Sequence, residues 1–178
     1  VLRGEELAKW TGGFWQGDVP STVEGLFFDT RIIEPNSLFI ALSYGVRDGH
    51  DFVEKALEIG ASACMVEKAL VYDIPQLIVP DSLEALANIA RNVRGNFKNP
   101  VIGITGSCGK TSTKAMLEKV LGSDRTHTTS GNWNNCLGVS MTLAELHETD
   151  YGFSVIEAGV SGQGEMSVLS SIIRPNVC

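Results

Sequence analysis

A chain of 178 residues, 43% hydrophobic and 20% charged, can bury a real core as one large domain or two small ones. A formal charge of −7 with no Lys/Arg block excludes nucleic acid or an anionic membrane as the main partner, so any phosphate must be gripped locally. No run approaches the roughly 20 apolar residues of a membrane span, and Val1-Leu2-Arg3-Gly4-Glu5-Glu6 lacks the apolar stretch of a secretory signal; a cytoplasmic protein without membrane insertion is expected.

Residues 4–11 place Leu7, Ala8 and Trp10 at helical spacing before Gly12-Gly13, a short helix with a glycine stop. Gly25 to Arg31 reads as a strand ending in Asp29-Thr30-Arg31, then a turn at Glu34-Pro35-Asn36 and a second strand over 37–42. Polar residues at the end of a buried strand are candidates for ligand contact. Residues 43–51 form a charged loop. A helix follows from Asp51 and closes at Gly60, and two further strands, 61–66 and 76–79, complete a small α/β unit ending near Pro80.

Asp81 is an N-cap with Glu84 three residues later, and Leu83, Leu86, Ala87, Ile89, Ala90 and Val93 form the apolar stripe of a helix that Gly95 ends. The expected boundary is therefore near Pro80, giving units 1–80 and 81–178. Next, Val101 to Ile104 reads as a strand, Thr105 to Gly109 as a glycine turn, and Lys110 onward as a helix. That order builds a phosphate cradle: glycines let the backbone curl, its N–H groups point inward, and the helix adds the positive end of its dipole. Gly106, Ser107, Cys108, Gly109, Lys110, Thr111 and Ser112 are the candidate ATP-binding residues, with Lys110 a point charge for the terminal phosphates and Thr111 a Mg²⁺ ligand. Ile104 stands five before Gly109, where the usual phosphate-loop pattern has glycine.

Residues 125–129 read as a short strand and Ser130 to Asn135 as an amide-rich loop, with a helix from about Asn135 to Leu146. Residues 151–156 are a strand that delivers Glu157 at its C-terminal end, and Glu165 opens another helix. Strands alternating with helices imply an α/β fold whose second unit is a P-loop-type, doubly wound parallel sheet, with ligands at the carboxyl ends of its strands. Glu157 there can hold Mg²⁺ opposite Thr111, and beside the phosphate loop this outweighs a merely solvated acid. Cys64, Cys108, Cys136 and Cys178 have no CxxC spacing and His50, His127 and His147 no metal spacing, so reduced thiols and structural histidines are expected.

Taken together, Phe28-Asp29-Thr30-Arg31, Asp48-Gly49-His50-Asp51-Phe52, Thr105 to Ser112, Gly131-Asn132-Trp133-Asn134-Asn135, and Val155 to Gly159 with Gly164-Glu165-Met166 resemble, in order, the blocks of the Mur ligases of peptidoglycan synthesis. The Gly-Asn-x-Asn-Asn loop points to the member that adds D-alanyl-D-alanine to UDP-MurNAc-tripeptide. The resemblance implies an ATP- and Mg²⁺-dependent ligase, expected as a monomer, working through an acyl phosphate with Lys110 and Glu157 at the reacting phosphates. It places the UDP end of the sugar nucleotide at Thr30, Arg31, Gly45, Val46 and Arg47, and the peptidyl end at Asn132, Asn134 and Asn135. Arg31 fits equally a structural ion pair with Asp29, and loop asparagines are more often turn formers.

Three features depart from the family: Val160-Ser161-Gly162-Gln163 where Asn-His is common, Ser140 where proline is usual, and an end at Cys178. In the family a downstream part supplies a metal-binding histidine, a carbamoylated lysine, much of the adenine pocket and a C-terminal domain, so a fragment of the enzyme, incomplete in its second unit and inactive by itself, is expected. The alternatives are a sister ligase acting on a shorter UDP-linked peptide, a binding module without chemistry, and an unrelated phosphate-loop kinase or GTPase; against the last, no Asn-Lys-x-Asp occurs.

Overall fold

The computed structural model describes residues 1–44, 47–147 and 150–178, the side chains of Tyr44 and Arg47 excepted. The chain divides into two compact units, Val1–Leu86 and Ala87–Cys178. The division falls inside a continuous helix, against the Pro80 read from sequence.

In the first unit, helix α1 (Gly4–Thr11) buries Leu7 and stops at Gly12, whose φ of 69° suits glycine at a helix C-terminus. Strand β1 (Phe14–Gln16) follows, then β2 (Leu26–Phe27), β3 (Leu38–Ile40), the two-residue strands β4 (Ser43–Tyr44) and β5 (Arg47–Asp48), a 3₁₀ turn at Gly49–Phe52, α2 (Val53–Ile59), β6 (Ala63–Val66) and β7 (Gln76–Ile78). The sheet order is β1-β7-β6-β3-β2, parallel except for β1. Leu38, Phe39, Ile40 and Ala63 to Val66 are all buried, as continuous apolar runs in a parallel sheet should be. Phe39, Ala41, Cys64 and Val66 pack with Val53 and Ala56 of α2 into one apolar cluster.

Two expectations change here. Asp29-Thr30-Arg31 is not strand but the turn after β2, because the Asp29 carboxylate takes the Arg31 N–H at 3.0 Å and curls the chain. Part of the charged loop is a β4–β5 hairpin, with Ser43 opposite Asp48. Its base is fixed by the Asp-Gly-His sequence. Asp48 Oδ1 accepts the His50 N–H at 3.0 Å and lies 2.5 Å from Nδ1, while Nε2 accepts the Glu67 N–H at 2.9 Å. His50 therefore carries its proton on Nδ1 and ties the hairpin to the end of β6. These bonds, with Lys68 nearby, hold the Asp48 carboxyl well below the usual carboxylate range. The carboxyl ends of the parallel neighbours β2 and β3 thus bring Thr30-Arg31 and the hairpin to the same edge of the sheet.

The second unit takes over within α3 (Ser82–Asn96), where Asp81 Oδ1 accepts the Glu84 N–H at 2.8 Å as the N-cap. Gly95 does not end this helix. It lies in the last turn, where a glycine costs little, and the helix runs on to Asn96. Then come β8 (Val101–Ile104), α4 (Lys110–Leu121), β9 (Thr126–Thr128), α5 (Cys136–Ala144), a 3₁₀ turn at Glu145–His147, β10 (Phe153–Glu157) and α6 (Glu165–Ile173). The sheet is parallel with β10 between β8 and β9. The chain passes from β8 through α4 to the far strand and returns to the middle one, the order of an α/β nucleotide fold. Val177 adds a parallel bridge to Ile102 on the other edge of β8.

The buried Arg94 locks this unit. Its guanidinium donates to Ile173 O at 2.9 Å, Arg174 O at 2.7 Å, Phe97 O at 3.1 Å and Asn176 Oδ1 at 3.0 Å, capping the C-terminus of α6. The same Asn176 Oδ1 accepts the Val101 N–H at 2.9 Å, so the cap also fixes the start of β8.

Candidate active site

Strand β8 ends at Ile104, and the exposed turn Thr105–Gly109 leads into α4. Gly106 at φ 142° and Gly109 at φ 79° take backbone conformations that side-chain-bearing residues avoid. Among the described residues, the N–H groups of Gly106, Ser107, Cys108 and Gly109 make no hydrogen bond within the chain. The first N–H groups of α4 have no partner inside a helix by construction. A row of uncommitted donors at a helix N-terminus is suited to an anion. Lys110 Nζ closes over the turn and donates to Gly106 O at 2.8 Å, a weak bond that a phosphate oxygen can replace.

Strand β10 sets Glu157 level with Ile104, the last residue before the turn. The carboxylate is 2% exposed. Thr111 donates to Oε2 at 3.1 Å and Asn134 Nδ2 to Oε1 at 3.2 Å, while the ammonium of Lys114 stands 3.7 Å from Oε2. The backbone N–H of Glu157 is held by Thr129 Oγ1 at 2.9 Å. Lys114 and Thr129 are parts of this site that sequence reasoning missed. A signal existed for the first: Lys114 lies three residues after Thr111 and four after Lys110, on the same face of α4.

The amide loop is tied to this centre. Asn134 O accepts the Gly159 N–H at 2.9 Å, and a Cβ at Gly159 would meet the Asn134 side chain at 2.8 Å, so glycine there lets the amide reach Glu157. Asn135 caps α5, its Oδ1 accepting the Gly138 N–H at 2.9 Å. Of the three asparagines expected to face substrate, Asn134 is thus engaged with the strand-end acid, Asn135 with the backbone, and Asn132 is exposed. Beyond β10, Glu165 Oε2 gathers the Ser161 and Gly162 N–H groups at 2.6 and 3.1 Å, which lowers its carboxyl pKa and orders the loop before α6.

In the first unit, Arg31 stands on the Asp29 carboxylate at 2.5 to 3.1 Å with its side chain 84% exposed, and the hydrogen-bonded guanidinium lowers the Asp29 pKa to about 2. Thr30 beside it is half-buried. Gly45 and Val46 lie outside the described residues, as does the side chain of Arg47.

Among the described residues no three His, Cys, Asp or Glu side chains cluster as a metal site, and no helix is long and apolar enough to cross a membrane. None of the four cysteines is in a disulfide. Thr111 and Glu157 do suit Mg²⁺ that arrives with phosphate oxygens. Two adjacent ligands of an octahedral ion with bonds near 2.1 Å lie about 3 Å apart, and the hydroxyl and carboxylate oxygens already stand at 3.1 Å.

The profile of the Mur ligase middle domain matches residues 104–178. The UDP-N-acetylmuramoyl-tripeptide–D-alanyl-D-alanine ligase of Escherichia coli (strain K12) is 41% identical over 155 residues, 86% of this chain and 34% of the ligase. A crystal structure of MurF from Acinetobacter baumannii matches with a TM-score of 0.90 at 35% identity, over 97% of this chain and 39% of that one. The MurF ligase of Thermotoga maritima in complex with ADP matches with a TM-score of 0.72 at 32% identity, over 84% and 35%. The chain spans about a third of the length of the curated relatives it matches.

Proposed function

The chain belongs to the Mur ligase family, and from that premise we propose that it serves the ATP-dependent addition of D-alanyl-D-alanine to UDP-MurNAc-tripeptide, in the cytoplasm. The observation that carries the reading is the meeting, at one end of the parallel sheet, of a free-donor turn, Lys110 and the Thr111–Glu157 pair.

In this reading the turn from Gly106 to Gly109 and the head of α4 cradle the phosphates of ATP. Lys110 leaves Gly106 O to meet the transferring phosphoryl group, holding its developing charge in place. Thr111 and Glu157 hold Mg²⁺, which when bound neutralises charge on the phosphates. The tripeptide carboxylate attacks the γ-phosphorus and ADP leaves; the dipeptide amine attacks the resulting acyl phosphate at carbon, and inorganic phosphate leaves with the mixed-anhydride oxygen. No enzyme nucleophile is needed, so Cys108 is a backbone contributor. Thr30 and Arg31, with the β4–β5 hairpin, hold the UDP end, where a guanidinium can fork to a diphosphate.

The test is calorimetry of this chain with UDP-MurNAc-tripeptide and with Mg²⁺ and β,γ-imido-ATP. Two sites are expected: Lys110→Ala weakens only the nucleotide, and Arg31→Ala only the UDP-sugar, as separated sites without shared partners behave additively. Nucleotide binding indifferent to Lys110→Ala, or a preference for the UDP-linked dipeptide over the tripeptide, would overturn the assignment.

A further inference from the structure

Lys114 has no role in the function above, yet its side chain is only 8% exposed and it is, among the described residues, the one cation within ion-pair distance of Glu157. Its ammonium has three protons to place. They face Thr129 O at 2.5 Å, Gly131 O at 3.4 Å and Glu157 Oε2 at 3.7 Å. One side chain on the phosphate-loop helix therefore touches the strand-end acid and both ends of the turn that leads into the amide loop. Taking a lysine out of water here is costly, and a buried pair of this kind seldom adds stability over well-packed apolar residues. Its position suggests another use. Oε2, the oxygen Lys114 faces, is also the oxygen Thr111 faces.

We propose that Lys114 is the resident counter-cation of Glu157: it holds the buried carboxylate aimed at Thr111 when no metal is present, and it competes with the arriving divalent cation for Oε2. This inference rests on the ligase reading only in taking a nucleotide-borne divalent cation to be the visitor. When that ion comes, the ammonium is repelled from Oε2 and keeps its carbonyls, Thr129 O and Gly131 O. Lys114 thereby weakens the ion's hold, easing its release with spent nucleotide, and transmits its arrival to the segment that carries Asn132 and Asn134. It is a positioning residue, acting through Glu157.

The experiment uses the chain with β,γ-imido-ATP and Mn²⁺, with free Mn²⁺ read by electron paramagnetic resonance, alongside melting of the metal-free protein. The forms are wild type, Lys114→Met, Glu157→Gln and the double variant. Lys114→Met is expected to melt lower than wild type without metal but to bind Mn²⁺ about tenfold tighter or more, since a positive charge has been taken from beside the ion. A residue that merely props the fold would weaken metal binding or leave it alone. The double variant is expected to regain most of the melting temperature lost in Lys114→Met, because it leaves no unpaired buried charge. Unchanged or weaker Mn²⁺ binding by folded Lys114→Met overturns the proposal. So does a double variant whose losses simply add. If Lys114→Met does not fold without metal, Mn²⁺ with nucleotide should fold it, and failure to do so counts against the proposal. Wild type that takes up no Mn²⁺, or Glu157→Gln that binds it as well as wild type, refutes the metal role of Glu157 and with it the competition; the double variant still decides the pairing.

Discussion

Replacing Arg94 by Met should loosen the phosphate loop from the far end of its strand. The guanidinium makes four hydrogen bonds to uncharged acceptors and is 9% exposed, with its pKa lowered by burial. Hydrogen bonds to a charged group are worth about 1.5–3 kcal/mol each when buried. They do not add, and Phe97 O and Asn176 Oδ1 can recover water. Counting chiefly the two α6 carbonyls, and a few tenths for the charge at the helix C-terminus, the loss comes to about 3–4 kcal/mol. With a urea dependence near 1.5–2 kcal/mol/M, the midpoint of the second unit should fall by roughly 2 M. Because the chain has two units, one global curve would mix them. Hydrogen exchange resolved by peptide over a urea series separates them. Peptides containing Val101 should lose protection with those of α6, while β3 and β6 keep theirs. Arg94→Lys, which keeps the charge but loses the fork, should fall between. A midpoint shift under about 0.5 M, or loss of protection spread equally over both units, would refute the reasoning.

Gly109→Ala should weaken binding of β,γ-imido-ATP by roughly tenfold or more, measured by calorimetry, because φ 79° costs a side-chain-bearing residue about 1–2 kcal/mol and open space around the glycine leaves backbone strain as the only cause. Brief alkylation read by mass spectrometry should label the exposed Cys108 and Cys178 and spare Cys64, whose thiol is buried and pushed up to about 12; Mg²⁺ with nucleotide should protect Cys108 alone. Burial lowers the pKa of His127, which donates from Nε2 to Thr142 O at 2.7 Å beside Tyr151 and Glu145. The unfolded chain then binds the extra proton first, so this residue's contribution is intact above its unfolded pKa near 6.5 and lost progressively as pH falls below it. His127→Gln should flatten that slope in thermal melts between pH 7 and 5, and an unchanged slope would clear His127 of it.

What could be read from the sequence was what is local. The Gly-Lys-Thr turn carries its strand, glycines and helix within a dozen residues, and the apolar run Val155-Ile156 ends at Glu157. The caps at Gly12 and Asp81, and a helix start near Asn135, were legible for the same reason. Strand β1 was not: three residues with Phe14 and Gln16 exposed have no periodicity, and only pairing with β7 makes them a strand. Arg94 was hidden because three of its four acceptors lie some 80 residues on. Lys114 was hidden because a lysine in a helix is ordinarily a solvated one, and only the parallel register of β10 brings Glu157 beneath it.

An acidic chain that binds anions has to confine its positive potential. Here it does so with few cations. At the phosphate turn the donors are uncommitted backbone N–H groups and a helix end, partial charges that act within a turn's length and contribute nothing to net charge. Lys110 is parked on a carbonyl, which holds it without neutralising it. Glu157, a full negative charge beside that cradle, would repel phosphate if left bare. Lys114 offsets it from within, and in the proposed reaction a metal ion does so from the ligand side. In the proposed reaction the field at the site then depends on which cation faces Oε2, so nucleotide that arrives with its metal should be favoured over nucleotide without it. That selectivity follows from the placement of a single buried carboxylate at the end of the middle strand.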